Sequence, residues 1–484
     1  MGVTKCARQF WTRSNRSTAD MWIRLFSLLV ILMAVSDAAR GEDRIDPTGA
    51  GMSSDWLSIS GEVRVRYESL DGQFRASRTG SDQLLLFRSL LHAEADTGAV
   101  SFGVELQDSR TYLADEGTPL GSSIANPLDV LQLYGRFDDL PGLLGPGSSS
   151  TLKLGRQTVS IGSKRQIERV DFANVIKSYT GLNFRSENAR GDELHAIYVV
   201  PTARFPNTRP ALDDNELSGD EEQWQRHIFG LHYRRADILP RIAPGLWAEI
   251  FLYGLEEQDT EAFQTPDRSY VAPGFRLYRK PGVNQWDIDL EGALRHGTRY
   301  ATSDPADTQS LEVNASMLHA EFGYTFDAPW QPRLAFEYYW ASGDDDPNDL
   351  KFDQHERLFG SRRSDLNNTS IHGPLTPANL NAPGFRIEVK PNERWDGRFY
   401  YHAAHLASDT DSWVIARRRD PAGESGIFIG HVLDARARYW VVPDRLRFEL
   451  GASGLIYGSF AKTVPDGPEG NGTMFGYAQL TYSF

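Results

Sequence analysis

The chain has 484 residues, with 65 acidic against 51 basic side chains and a formal net charge of −14. Such an acidic balance makes nucleic acid a poor partner, and we expect none. The mean hydropathy of −0.44 argues against a bundle of membrane-spanning helices. It does not argue against a membrane-spanning sheet, in which only alternate residues face lipid. The single cysteine, Cys6, lies in the expected leader, so the mature chain has no disulfide, thiolate metal site or cysteine nucleophile.

The N-terminus is typical of an export signal. Arg24 supplies the positive region, the apolar run 25–35 follows it, and small residues permit cleavage as late as Gly41. Met21 begins a conventional signal, so we expect translation to start there. We predict a signal peptide over residues 1–41. The alternative is an uncleaved anchor, but the apolar run is short for a membrane span.

From residue 57 onward, segments of roughly ten residues alternate between apolar and polar side chains, which is typical of a transmembrane β-barrel. We predict a short periplasmic segment over 42–56 and one antiparallel barrel over 57–484, of outer-membrane type and roughly eighteen strands. The chain ends on Phe484. The predicted strands lie near 57–70, 82–96, 99–110, 127–138, 150–158, 175–187, 191–201, 224–235, 245–256, 272–280, 286–298, 311–327, 331–342, 383–391, 394–406, 428–441, 444–459 and 474–484.

Short and long connections alternate along this pattern. Short turns belong on the periplasmic side of a barrel and long loops outside, so both termini should lie in the periplasm of a Gram-negative bacterium. The long loops are predicted at 71–81, 111–126, 159–174, 202–223, 257–271, 299–310, 343–382, 407–427 and 460–473. Two of them, 111–126 and 343–382, are candidates to fold inward and constrict a pore. We expect interfacial aromatic girdles at Tyr67, Trp224, Trp247, Trp286, Trp330, Tyr338, Trp340, Trp395, Tyr439 and Trp440.

Alternation also assigns faces. In the last strand Leu480, Tyr482 and Phe484 should face lipid, and the residues between them should face the lumen. A lipid-facing Arg near the midplane would cost about 2–4 kcal/mol, so strand arginines belong on the inner wall. By this rule the inner wall carries Arg64, Arg66, Arg88, Arg136, Arg185, Arg386, Arg398, Arg436 and Arg438.

Such a wall would favour carboxylated solutes, because guanidinium groups bind carboxylates in a bidentate manner. Many acids lie in the predicted loops, so an acidic chain can still contain a basic channel. The alternative is that these arginines pair with neighbouring carboxylates and only maintain a polar lumen. The candidate partners are Glu62, Glu94, Glu105, Glu388, Asp434 and Glu449.

The sequence resembles the alginate export family of outer-membrane barrels over essentially its mature length. The similarity rests on Leu152–Gln157 followed by Ile161–Gln166, on Lys351–Gln354 running to Leu358–Gly360, and on Gly430–Asp434 with the final strands. The family implies passive export of a polyuronate through a constriction lined by Arg and Lys. By position, the resemblance names Arg156, Arg165, Arg386, Arg436 and Arg438 as substrate-binding residues, with Arg64, Arg88 and Arg136 beside them.

We therefore expect an anion-selective outer-membrane channel that exports an anionic polysaccharide such as alginate. A general or uptake porin for small anionic solutes is the second reading. The third is an outer-membrane lipid hydrolase, which needs Ser, His and an acid or Asn together on the outer face; no such set emerges from the alternation. We expect no catalytic residues, metal or cofactor. The expected partners are a uronate substrate, lipopolysaccharide and membrane lipid, and a periplasmic secretion scaffold.

Overall fold

The computed structural model describes residues 52–484 apart from 55, 262, 363, 364 and 369. The predicted signal peptide and most of the predicted segment 42–56 lie outside the described residues. Eighteen long antiparallel strands form one closed sheet, which confirms the predicted barrel. The two residues Met52–Ser53 pair with Ile59 and Ser58 at the start of the first strand.

The strand bounds agree with the alternation to within a few residues at most ends. The strands are β1 (Leu57–Asp71), β2 (Asp82–Asp96), β3 (Ser101–Tyr112), β4 (Asn126–Pro141), β5 (Ser149–Gln157), β6 (Tyr179–Glu187), β7 (Glu193–Ala203), β8 (Arg226–Arg235), β9 (Leu246–Glu257), β10 (Ser269–Arg279), β11 (Gln285–Tyr300), β12 (Ser310–Thr325), β13 (Arg333–Ala341), β14 (Leu380–Asn392), β15 (Trp395–His405), β16 (Phe428–Val442), β17 (Leu446–Tyr457) and β18 (Gly472–Ser483).

The barrel closes between its first and last strands. β1 pairs antiparallel with β18 from Glu62 opposite Ser483 to Asp71 opposite Met474. The C-terminal Phe484 extends this pairing, because its N–H donates to the Gly61 carbonyl at 3.1 Å and its carbonyl accepts from the Gly61 N–H at 2.9 Å. Closure leaves no sheet edge in hydrocarbon, where each unpaired backbone group would cost several kcal/mol.

The remaining regular elements are short. Helices α1 (Arg209–Asp213) and α2 (Ser459–Thr463), together with two-residue strands at Glu221–Glu222 and Lys351–Phe352, lie in the long connections. No helix in the described part of the chain is long and apolar enough to cross a membrane.

Short turns and long loops occupy opposite ends of the barrel, as predicted. The turn between β16 and β17 spans only residues 443–445, while the loop between β13 and β14 spans 342–379. Both chain ends lie at the end with the short turns. We therefore assign that end to the periplasm.

The two faces of the strands differ as the alternation predicts. On β18, Leu480 and Tyr482 are 45% and 41% exposed, whereas Gln479 and Thr481 are each 3% exposed. The expected girdle is confirmed at its exposed members, among them Trp286, Trp330 and Trp395.

Two aromatic residues assigned to the girdle lie on the inner wall instead. Trp247 alternates with the buried Glu249 on β9, and Trp440 alternates with Arg438 on β16. The guanidinium of Arg234 lies 4.8 Å from the Trp247 ring centroid, and that of Arg438 lies 5.3 Å from the Trp440 centroid. Nearness to a strand end does not decide the face of a side chain, whereas alternation does.

The extracellular half of the barrel interior is filled by loops. Inward-facing Leu84, Leu86 and Phe475 near the strand ends pack with Ile124 and Ile371 from two loops. The predicted strand start at 175 is earlier than the observed start at Tyr179, and the same packing of loops inside the barrel explains the difference. Val175 and Ile176 are buried but precede β6, because they belong to a loop that packs inside the lumen.

Candidate channel constriction

The loop joining β5 to β6, residues 158–178, crosses the barrel interior; we call it the crossing loop. Arg165 in this loop reaches the inner wall of β11, with Nη2 3.0 Å from Asp289 and Nη1 2.9 Å from Glu291. Its Nε lies 2.9 Å from Asp365 in the loop between β13 and β14. One buried guanidinium thus joins the crossing loop to the wall and to a second loop.

Arginines of the opposite wall bind the far end of the crossing loop. Arg64 donates to the carbonyl oxygens of Asp171 and Ala173, each at 2.8 Å, and Arg88 donates to the same two carbonyls at 2.7 and 2.8 Å. Arg169 pairs with Glu105 of β3 at 2.7 Å. These side chains therefore hold loop backbone within the lumen.

The loop between β13 and β14, residues 342–379, folds inward beside the crossing loop, as expected for 343–382; we call it the second loop. The N–H of Phe359 donates to the Gln166 carbonyl at 2.9 Å, and that of Ser361 donates to the Lys164 carbonyl at 3.0 Å. The Asn368 N–H reaches Asp434 on β16 at 2.6 Å. The other expected constriction, 111–126, also packs inside the barrel, where Ile124 is buried in a cluster with Leu84 and Leu86, and Ala114 and Leu120 lie against the same cluster.

Three cations gather where these loops meet, and we call them the loop cations: Lys177, Arg204 and Arg357. The ammonium of Lys177 donates to the Phe359 carbonyl at 3.0 Å, and Arg204 donates to the Val175 carbonyl at 3.3 Å. Among the described residues, no carboxylate forms an ion pair with any of the three. Their positive charge is therefore not cancelled by a salt bridge in that part of the chain.

The pKa shifts of the loop cations agree with this clustering of buried positive charges. Burial, followed by the charges of Arg357 and Arg204, holds the pKa of Lys177 well below its ordinary value. Burial also lowers the pKa of Arg204 and of Arg357. Burial raises the pKa of Glu168, whose charge acts on Lys177 and Arg357. The site is therefore one in which an added anion would be stabilised.

The structure places all ten predicted site residues inside the barrel, but most of them already have a carboxylate partner. Eight of the ten form an ion pair inside the barrel, as the alternative expected, and two of these pairs use the predicted partners Glu62 and Glu94; whether the ten bind substrate stays a prediction. The pairs are Arg88–Glu62, Arg136–Glu94, Arg156–Glu222, Arg165–Asp289, Arg185–Glu193, Arg386–Glu337, and both Arg436 and Arg438 with Asp396. Arg64 binds loop carbonyls, and Arg398 donates to the Tyr400 hydroxyl at 3.1 Å.

The remaining predicted partners have other roles. Glu105 pairs with Arg169, and Glu388 pairs with Arg333 at 3.0 Å. Asp434 accepts from the Asn368 N–H at 2.6 Å, and Glu449 accepts from the Tyr477 hydroxyl at 2.7 Å. Sequence reasoning missed the loop cations because loops carry no alternation that assigns a face. One signal was available: Arg357 lies within the segment 351–360 on which the family resemblance rests.

Within the described residues, one group of side chains has ligand atoms close enough for a metal ion. His319, Glu321 and Glu337 place such atoms within 4.8 Å of one another. Arg386 already bridges the two carboxylates, 3.1 Å from Glu321 and 3.0 Å from Glu337. A guanidinium therefore supplies the positive charge that a metal would bring.

Comparison with known proteins agrees with this geometry. The model of the family described as "Alginate export" matches residues 55–471. No curated protein matches the sequence significantly. Among solved structures, OccK9 (OpdG) of Pseudomonas aeruginosa has a TM-score of 0.58 at 14% identity, covering 88% of this chain and 98% of that one.

Two further solved structures have the same architecture. A BenF-like porin from Pseudomonas fluorescens Pf-5 has a TM-score of 0.56 at 11% identity, covering 88% of this chain and 98% of the porin. OccK2 (OpdF) of Pseudomonas aeruginosa, in complex with glucuronate, has a TM-score of 0.53 at 14% identity with the same coverage. At these identities the likeness establishes a common fold and nothing more.

Proposed function

Because the chain belongs to the alginate export family, we propose that this outer-membrane channel of a Gram-negative bacterium passes an anionic polysaccharide such as alginate. The family and the fold are those of channel proteins rather than enzymes. Passage is passive and selective for anions. The lumen-facing arginines predicted from the sequence line its route, while a secretion scaffold and lipopolysaccharide stay predicted partners.

One observation carries the proposal of anion selectivity. Lys177, Arg204 and Arg357 lie close enough at the junction of the crossing loop and the second loop for the charges of the two arginines to act on Lys177. Among the described residues, the hydrogen bonds of Lys177 and Arg204 go to carbonyl oxygens, and none of the three cations forms an ion pair with a carboxylate. Positive charges in a narrow passage with low-dielectric walls raise the local concentration of anions. The paired wall arginines add less, since each has a neighbouring negative charge.

The test is block of single-channel current by mannuronate oligomers in planar bilayers. The proposal predicts block by the oligomers and none by uncharged mannose oligomers of equal length. Lys177→Gln and Arg357→Gln should each weaken the block, whereas Arg136→Gln should not, because Arg136 already pairs with Glu94 at 2.8 Å and Asp138 at 2.7 Å. Equal sensitivity to charged and uncharged oligomers would overturn the proposal.

A second candidate is uptake of small carboxylates, and tight packing of the second loop favours it. Leu366, Asn367 and Asn368 are fully buried, which leaves less of the lumen for a polymer. OccK2 (OpdF), with the same fold, was solved with glucuronate. Liposome flux separates the two: monomer flux without oligomer flux would favour uptake, and flux of long oligomers would favour export.

A further inference from the structure

Three arginines of the extracellular loops lie near one another, and we call them the outer arginines: Arg75, Arg78 and Arg417. Arg75 and Arg78 belong to the loop joining β1 to β2, residues 72–81, and Arg417 belongs to the loop joining β15 to β16, residues 406–427. The two loops meet where the Ala76 N–H donates to the Ala416 carbonyl at 2.8 Å. This contact joins residues that directly precede Arg417 and lie between Arg75 and Arg78.

The charges of the outer arginines act on one another. Burial, followed by the charge of Arg78, lowers the pKa of Arg75 to about 10, and the charge of Arg417 adds to this shift. Burial also lowers the pKa of Arg78, with further contributions from the charges of Arg209 and Arg417. Arg209 has a partner of its own, Asp213 at 2.7 Å. Within the described part of the chain, none of the three outer arginines forms an ion pair.

Two of the outer arginines bind backbone carbonyl oxygens. Arg75 donates to the carbonyls of Ile371 and His372 in the second loop, at 2.6 and 2.5 Å. Arg78 donates to the Gly117 carbonyl in the loop between β3 and β4. These bonds hold the guanidinium groups at the outer side of the loops that fill the lumen, and they leave the positive charges in place.

Two nearby carboxylates interact with other groups. The charge of Asp82 acts on Arg75 and Arg78. This carboxylate is 6% exposed and accepts a hydrogen bond from the Thr118 hydroxyl. The same hydroxyl lies 3.3 Å from the carboxylate of Asp115. Neither acid forms an ion pair with an outer arginine among the described residues, so the three guanidinium groups remain available to an anion from solution.

A buried arginine connects the outer arginines to the loop cations. Arg362 of the second loop donates to the carbonyls of Gly373 and Leu375, each at 2.8 Å. Burial, followed by the charges of Arg357 and Arg75, holds its pKa well below the ordinary value. Arg357 is a loop cation and Arg75 is an outer arginine. Positive charge therefore continues from the constriction to the extracellular side, which favours anions along this direction.

The loops around the outer arginines carry exposed acids, among them Asp213, Asp304, Asp345 and Asp466. These negative charges repel an anion that approaches the extracellular surface. The outer arginines are accessible, since Arg417 is exposed and the other two are half-buried. An anion therefore meets its most favourable potential at this patch.

We propose that the outer arginines form the extracellular opening of the anion pathway, where carboxylate-bearing solutes leave the channel. Arg417 contacts the anion at the surface, and Arg75 extends the positive charge inward toward Arg362. The inference rests on the proposed function, because it names where the proposed substrate leaves the channel. It adds residues from two extracellular loops to the arginines of the inner wall.

Charge reversal at the outer surface tests this assignment. The mature chain has no cysteine, since Cys6 lies in the expected leader. Arg417→Cys therefore offers a single thiol to a sulfonate-bearing methanethiosulfonate reagent added on the extracellular side of a planar bilayer. Labelling places a negative charge where the wild type has a positive one, and it should lower the chloride-to-potassium permeability ratio by about fivefold. Arg78→Cys is a second variant with the same expected result.

The matched control is Lys351→Cys. Lys351 is an exposed cation on the same side of the membrane, but it lies opposite Glu312 of β12, away from the outer arginines. Labelling of this variant should leave the permeability ratio unchanged. Mass spectrometry of the recovered protein verifies that all three variants are fully labelled.

The outcomes separate this inference from the proposed function. A lower ratio after labelling of both arginine variants, with no change in Lys351→Cys, supports the opening. An unchanged ratio in both arginine variants, or an equal fall in Lys351→Cys, refutes it. If mannuronate oligomers block the current but labelling changes nothing, the opening is refuted and the proposed function stands. If labelling lowers the ratio but oligomers do not block, the opening stands and the proposed polysaccharide substrate fails.

Discussion

Arg165 is the side chain whose replacement should most clearly release the crossing loop and the second loop from the lumen. It is 6% exposed and lies within 3.0 Å of Asp289, Glu291 and Asp365. In Arg165→Met, Asp289 keeps Arg276 at 2.7 Å. Asp365, which is 5% exposed, is left with His319 at 4.0 Å. The variant therefore leaves the buried carboxylate of Asp365 without a close cationic partner at the junction of the two loops.

Breaking a buried ion pair by removing one partner costs roughly 3–5 kcal/mol. Since about 1.4 kcal/mol corresponds to tenfold in an equilibrium constant, the population with released loops should rise by at least about a hundredfold. The barrel strands pair with one another independently of Arg165, so the loss should be local. Hydrogen exchange should accelerate in 158–178 and in the second loop, with larger and noisier single-channel currents.

Arg333→Met is the matched control. Arg333 is 4% exposed and also contacts three carboxylates, Asp287, Glu321 and Glu388, all on barrel strands. Its replacement should destabilise the barrel without selectively releasing the loops. Adding Asp365→Asn to Arg165→Met should recover part of the lost stability of the two loops, because the buried charge of Asp365 is then removed. Unchanged exchange in both loops of Arg165→Met would refute the reasoning.

Three further outcomes follow from the same structure. Gly360→Ala should separate the crossing loop from the second loop and raise conductance, because a Cβ at this position would overlap the Arg165 carbonyl. Gly121→Ala is the control, since a Cβ there meets nothing within 4 Å. Equal conductance of the two variants would contradict this. Gly162→Ala should also loosen the crossing loop, since φ at this position is +55° and a Cβ would lie 2.7 Å from His232 Nε2. Proteolysis of the protein in intact vesicles measures the exposure of the loop. Resistance equal to that of the wild type would contradict the prediction. Because the pKa of Lys177 lies well below its ordinary value, this side chain loses its charge at lower pH than an ordinary lysine, and the anion preference of the channel should fall as pH rises. In Lys177→Arg the reversal potential should stay constant over the same pH range. A similar fall of anion preference in Lys177→Arg would show that another group titrates.

The strands and their faces could be predicted because a physical cost enforces the alternation. A charge facing lipid is expensive, so Arg64, Arg88 and Arg436 could be placed on the inner wall from sequence alone. Closure followed from the same reasoning, since the last strand must pair with the first. The partners of these arginines could be proposed but not chosen, because pairing depends on register across strands.

The inserted loops lay beyond such reasoning. A loop inside a lumen has no period, and its apolar residues resemble strand residues, as Val175 and Ile176 show. One signal could have located the insertion. Leu84, Leu86 and Phe475 are apolar residues on the inward face near the extracellular strand ends, and they are fully or nearly fully buried. An apolar patch on a polar wall indicates that something covers it.

The reversal potential under a potassium chloride gradient tests the central claim most directly, namely that the loop cations, which form no ion pair within the described part of the chain, set the selectivity. The wild type should prefer chloride, and a variant carrying Lys177→Gln, Arg204→Gln and Arg357→Gln should lose that preference. Arg136→Gln should keep it, since its charge is already offset by two acids. Cation preference in the wild type, or an unchanged reversal potential in the triple variant, would contradict the account.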